Sequence, residues 1–88
     1  MSEENKDSEA GRYIDLPAVV VALVSRHGRK WRSYVARVVR CPAEAEDVVQ
    51  EAVRRVLEAG RRFHSQEEAR MYLARAISNT AIEYYNAR

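Results

Sequence analysis

From Leu16 the apolar letters fall at 16, 19, 20, 23 and 24, then at Trp31, Val35, Val38 and Val39, a spacing of three and four that predicts an amphipathic helix. Asp15 stands where an N-cap is needed, with a short carboxylate to accept a first-turn N–H. Gly28 interrupts the pattern, and a mid-helix glycine costs about 1 kcal/mol relative to alanine, so the helix is expected to bend or divide near His27–Gly28. Cys41-Pro42 ends this segment, because the residue before proline is pushed out of the α region, and Pro42 then suits the first turn of a second helix. Ala45, Val48, Val49, Ala52, Val53, Val56 and Leu57 form the apolar stripe of that helix. Glu44, Glu46 and Asp47 lie in its first turn, where the dipole favours acids, and Gly60 fits its C-terminal stop.

After a short linker, Arg61 to His64, Ser65 and Glu68 have the spacing of a capping box and open a third helix. Its buried side reads Ala69, Leu73, Ala76, Ile77, Thr80, Ala81 and Tyr84. Every Val-rich run belongs to a helical period, so no strand is predicted and the fold class is all-α: a compact three- to four-helix bundle. Residues 1–14 are polar, acidic and without periodicity, a composition that cannot offset its own ordering entropy, and are expected to be a disordered tail ahead of a domain at 15–88.

With 88 residues there is room for one domain, and a core this thin excludes a deep catalytic cavity. The single cysteine, Cys41, cannot make an internal disulfide, which suits a reducing cytoplasm. The longest apolar run, Leu16 to Val24, contains Pro17 and is far short of the roughly 20 residues that cross a bilayer, and the acidic start is unlike a secretory signal. His27 and His64 lack metal-type spacing, and no phosphate loop or nucleophile motif is present. The expectation is a non-enzyme with no cofactor, no small-molecule substrate and no membrane association, located in the cytoplasm.

Charge is unevenly placed: of the net +2, residues 1–15 carry −3 and residues 16–88 carry +5. Arg26, Arg29, Lys30, Arg32, Arg37 and Arg40 follow one another with no acid between them, a pointer to a polyanionic partner that solubilising arginines on a helix face would also explain.

Two polar stripes remain. On the second helix Asp47, Gln50, Glu51, Arg54 and Glu58 share one face, either a solvated surface held by ion pairs such as Glu51–Arg55 or a docking stripe for a partner helix. On the third, Tyr72, Arg75, Asn79, Glu83 and Asn86 share another. A ring, a guanidinium and amides on one face suit single-stranded nucleic acid, where the ring stacks on a base and the others meet phosphate and base edges, although Glu83 counts against pure phosphate affinity and an ordinary exposed polar face would also explain the stripe.

The run Ala45-Glu46-Asp47-Val48-Val49-Gln50-Glu51-Ala52, followed by Arg55, Leu57, Phe63 and the stretch from Tyr72 to Tyr84, resembles conserved region two of bacterial sigma factors, most closely the extracytoplasmic-function group. The resemblance covers about residues 16 to 88 and rests on the D-x-x-Q-E core, the Phe after it and the Asn-x-Ala-x-acid-Tyr ending. It implies docking of the second helix on the clamp helices of the β′ subunit of core RNA polymerase, through Asp47, Gln50 and Glu51 with Arg54 nearby. It also implies capture of the non-template strand of the promoter −10 element by the last helix and the loop before it. Carried onto this chain, the DNA-contacting residues are Arg61, Arg62, His64 and Ser65 of the loop and Tyr72, Arg75 and Asn79 of the helix.

The chain departs from that pattern in places. Tyr72 stands where the family usually has Trp, Ala69 replaces an expected aromatic, and Glu67 and Glu68 put two acids where a phosphate backbone would pass. No segment resembling region four follows, so an excised domain and a stand-alone relic or mimic are both open. The alternative function is accordingly a protein-interaction module that keeps the sigma surface and binds an anti-sigma factor or polymerase without promoter DNA activity.

Overall fold

The computed structural model describes residues 12–87. Three helices fill it: α1 (Leu16–Val39), α2 (Pro42–Ala59) and α3 (Gln66–Asn86). Short connections join the helices, and each packs on the other two. The all-α bundle expected from the periodicity is the fold observed. Residues 1–11 of the expected tail lie outside the described residues.

The helix boundaries follow the local chemistry. Asp15 caps α1 by accepting the Ala18 N–H at 3.4 Å, and Pro17 occupies the first turn, where its missing donor is not needed. Arg40 closes α1 in the left-handed region at φ 60°, returning its N–H to Ala36 O. Pro42 opens α2, and Gly60 ends it at φ 67°, a conformation glycine adopts without a Cβ clash.

The break expected at His27–Gly28 does not occur: α1 is one helix of 24 residues. The local penalty of Gly28 is outweighed by what continuity buries further on, where Val35 and Val39 are fully enclosed, each contributing about 1.5 kcal/mol or more. The Arg32 side chain also folds back over Gly28, its Nη1 3.0 Å from where a Cβ would sit, so the glycine is covered.

Val20, Leu23, Val35 and Val39 of α1 meet Val48, Ala52 and Val56 of α2 and Leu73, Ile77 and Ala81 of α3 in one core. The buried hydroxyl of Thr80 is satisfied within its own helix, donating to Ala76 O at 2.7 Å. Tyr34 Oη and Ser78 Oγ, 2.9 Å apart, tie α1 to α3. Leu57, expected on the buried stripe of α2, is 39% exposed. The row Val49, Val53, Leu57 advances in steps of four, each overshooting a turn by about 40°, and so drifts from buried to half-buried to exposed. Ala76 and Tyr84 are half-buried for the same kind of reason, flanking the enclosed row of α3.

Candidate nucleic-acid and polymerase interfaces

The segment between α2 and α3 has no regular structure, yet its residues are held individually. Phe63 is 4% exposed and inserts its ring into the core, so the linker is pinned at its middle by apolar burial. Its carbonyl accepts the Ile14 N–H at 2.8 Å. The His64 ring stacks on Tyr13 with centroids 4.8 Å apart, its Nδ1–H donates to Arg12 O at 3.3 Å, and the Arg62 guanidinium lies 5.3 Å from the Tyr13 ring centre. Arg12, Tyr13 and Ile14 thus form a strap across the linker. The sequence reading placed these three residues in the tail; the linker gives Tyr13 a ring and Ile14 a carbonyl that no sequence period reveals.

Ser65 caps α3 by accepting the Glu68 N–H at 3.1 Å, and Glu68 Oε1 accepts the His64 N–H at 3.1 Å. This is the predicted reciprocal cap with its return bond one residue earlier than usual. Glu68 therefore holds the loop backbone, and Glu67 pairs with Arg70, whose guanidinium lowers the Glu67 pKa by hydrogen bonding. Both acids expected to repel a phosphate backbone already have partners.

The loop and the start of α3 enclose an open cleft of about 400 Å³. Phe63 and Tyr72, with ring centroids 5.2 Å apart at 53°, form its aromatic floor, and Arg61 lies 4.7 Å from the centre of the Tyr72 ring. Arg62, Met71 and Arg75 stand around the rim. The structure thus gathers Arg61, Arg62, His64, Tyr72 and Arg75 at one cleft. Ser65 serves as the cap, and Asn79 is exposed one turn beyond Arg75, outside the cleft lining. Met71, 58% exposed, was not foreseen from the sequence, although it is next to Tyr72 and faces the same way as Arg75 at i+4, and Glu68, read there as cap and repelling acid, holds the loop instead. Three guanidinium groups around an aromatic platform offer charge to phosphate and a face to a base.

The second stripe divides in two. Asp47 and Gln50 are exposed and, among the described residues, have no side-chain partner. Glu51 accepts from Arg54 at 2.5 Å and from Arg55 at 3.0 Å; Arg54 also reaches Glu58 at 2.8 Å, and Arg55 crosses to Glu83 of α3 at 2.9 Å. Hydrogen bonds from Arg54 and then Arg55 lower the Glu51 pKa, while those to Glu51 and Glu58 raise that of Arg54, and those to Glu83 and Glu51 raise that of Arg55. Glu83, which counted against phosphate affinity in the sequence, is neutralised by Arg55. Beside Gln50 an apolar groove of about 220 Å³ runs between Val20, Val21 and Val24 of α1 and Val49 and Val53 of α2, and Val21 is 70% exposed.

Residues 23–88 match the family model described as sigma-70 region 2. The chain belongs to the sigma-70 region 2 family. That match takes in α1 from Leu23 onward, all of α2, the loop and α3, while Val20 and Val21 of the groove lie before it. Comparison with curated proteins and with solved structures found no match. Sigma region 2 domains are non-enzymatic modules of transcription initiation that bind core RNA polymerase and promoter −10 DNA, and membership of that family supports a sigma-factor-like role for this chain. Among the described residues no helix is long and apolar enough to cross a membrane, and no three His, Cys, Asp or Glu side chains gather as a metal-binding group.

Proposed function

We propose that this region 2 domain acts in the cytoplasm as an initiation module of the extracytoplasmic-function type, docking α2 on the β′ clamp helices and holding a −10 non-template base in the cleft between the loop and α3. The cleft is the observation that carries the DNA half: Arg61, Arg62 and Arg75 surround the Phe63–Tyr72 platform, and Glu68 is occupied by the His64 N–H. Recognition is non-covalent throughout, by stacking on Tyr72 and phosphate contacts from the arginines. On α2, Gln50 borders the valine groove and Asp47 stands about one turn before it, both without a side-chain partner among the described residues, an arrangement in which a partner helix gains apolar burial and hydrogen bonds together. Glu51 and Arg54 support that face through their own ion pairs. The sigma-mimic alternative drew on Glu67, Glu68, Ala69 and the short basic end Asn86-Ala87-Arg88; the pairing of Glu67 with Arg70 and of Glu68 with the His64 N–H weakens the first two grounds, and oligonucleotide titration decides between the readings.

The test is a pull-down of core polymerase with wild type and the Asp47→Ala/Gln50→Ala variant, together with titration of a labelled non-template −10 oligonucleotide against wild type and Tyr72→Ala. Loss of polymerase binding at unchanged helicity is expected for the first variant. Oligonucleotide affinity should fall for the second by about ten-fold or more, the stacking contribution of one base. Polymerase capture without any oligonucleotide binding at low salt would turn the reading to the mimic.

A further inference from the structure

The six cations of α1 do not all serve one surface. Arg32 turns back over Gly28, whereas Arg26, Arg29, Lys30, Arg37 and the C-cap Arg40 project with Ser33 on the side opposite Val35 and Val39, and all are exposed. Among the described residues none of these five makes an ion pair. The ridge from Arg26 to Arg40 is about 21 Å long, over which duplex DNA carries roughly twelve phosphate charges.

The chemistry of the ridge favours a phosphate backbone over a protein surface. It contains no apolar position, and protein interfaces have apolar or aromatic cores depleted in lysine. Its position agrees. A second cleft, about 290 Å³, joins Lys30, Trp31, Tyr34 and Arg37 of α1 to Ala74 and Ser78 of α3. Ala74 and Ser78 each sit one position from Arg75 and Asn79 on α3, so this cleft, with Lys30 and Arg37 of the ridge in its lining, lies between the ridge and the helix that carries the candidate −10 residues.

We infer that the outer ridge of α1 is a second, sequence-independent DNA surface that holds the phosphate backbone of the duplex flanking the strand captured at α3. This rests on the DNA reading of the α3 cleft for its geometry, but is tested separately from it. Two labelled probes are titrated by fluorescence anisotropy over a range of salt: the single-stranded −10 oligonucleotide, and the same oligonucleotide carrying a duplex arm about two helical turns long.

Wild type should bind the armed probe more tightly. The Arg29→Ala/Lys30→Ala/Arg37→Ala variant, with helicity checked by circular dichroism, should bind the single strand as wild type does and lose about ten-fold or more on the armed probe. Its log–log salt slope on that probe should fall by about 2.7, three phosphate contacts at 0.9 each. Arg29→Lys/Arg37→Lys, which keeps the charge, should restore the slope. Equal wild-type affinity for the two probes, or an unchanged slope in the alanine variant, overturns the inference while leaving the α3 reading intact. Loss of polymerase capture with DNA binding untouched overturns it in favour of an acidic protein partner. A wild type that binds the armed probe through the ridge but not the single strand supports the ridge and defeats the α3 reading.

Discussion

Glu68 is where charge and geometry predict opposite results. As a bare acid near phosphate it should hinder DNA, and its removal should tighten binding. As the acceptor of the His64 N–H it orders the loop, and Glu68→Ala is expected to release a cap worth about 1 kcal/mol, a factor of about five in the ordered population. Titration of the −10 oligonucleotide decides: weaker binding is expected, and tighter binding would mean the charge dominates. Arg40 gives a prediction on stability. An L-residue in the left-handed region is strained by about 1 kcal/mol, so Arg40→Gly should raise the thermal midpoint measured by circular dichroism. Glu51 gives one on pH. Its folded pKa lies below the ordinary glutamate value, so its ion pairs contribute stability that is fully present above the unfolded pKa and lost as pH falls through the folded one. The thermal midpoint should therefore drop on acidification below the ordinary glutamate range, and Glu51→Gln should flatten that dependence in melts across a pH series. Glu67, shifted the same way by Arg70, should leave a residual slope.

Among the elements, α1 shows tertiary packing overriding a local signal. Gly28 carries the weakest helix propensity in its interior, yet the helix continues because Val35 and Val39 lie beyond it in the core. A Cβ there would meet Arg32 Nη1 at 3.0 Å and Val24 Cγ1 at 3.5 Å. The guanidinium is the far end of a flexible side chain, so Gly28→Ala should gain most of the propensity difference, about 0.5–1 kcal/mol, in chemical denaturation. In α3 the enclosed row is what carries the bundle: Leu73 is fully buried, and Leu73→Ala should cost about 2–5 kcal/mol by the same measurement. For a domain of this size that is a large fraction of total stability. In α2, Leu57 looked like core because letters alone give spacing without the helix axis; the drift of a four-residue row carried it to the surface.

For the molecule as a whole, charge is sorted by surface. The loop and α3 gather Arg61, Arg62 and Arg75, the outer side of α1 carries a ridge of five cations, and Glu51, Glu58 and Glu67 are joined to arginines of their own helices. Much of this was legible in the sequence. Helical periods, proline and glycine punctuation and the Asp15 and Ser65 caps are local, decided by residues within a turn or two, and they determined the helical segments and their ends, with Gly28 the one mark that the packing overrode. The D-x-x-Q-E core and the Tyr72 to Tyr84 stretch determined the family. Contacts between residues distant in the chain belong to the tertiary structure alone. Tyr13 meets His64, Arg55 meets Glu83, and Gln50 borders a groove half made by α1. Only packing three helices together decides which acids are neutralised, which cations stay unpaired and which valines face outward, because those outcomes depend on distances across the bundle that spacing along one helix does not contain.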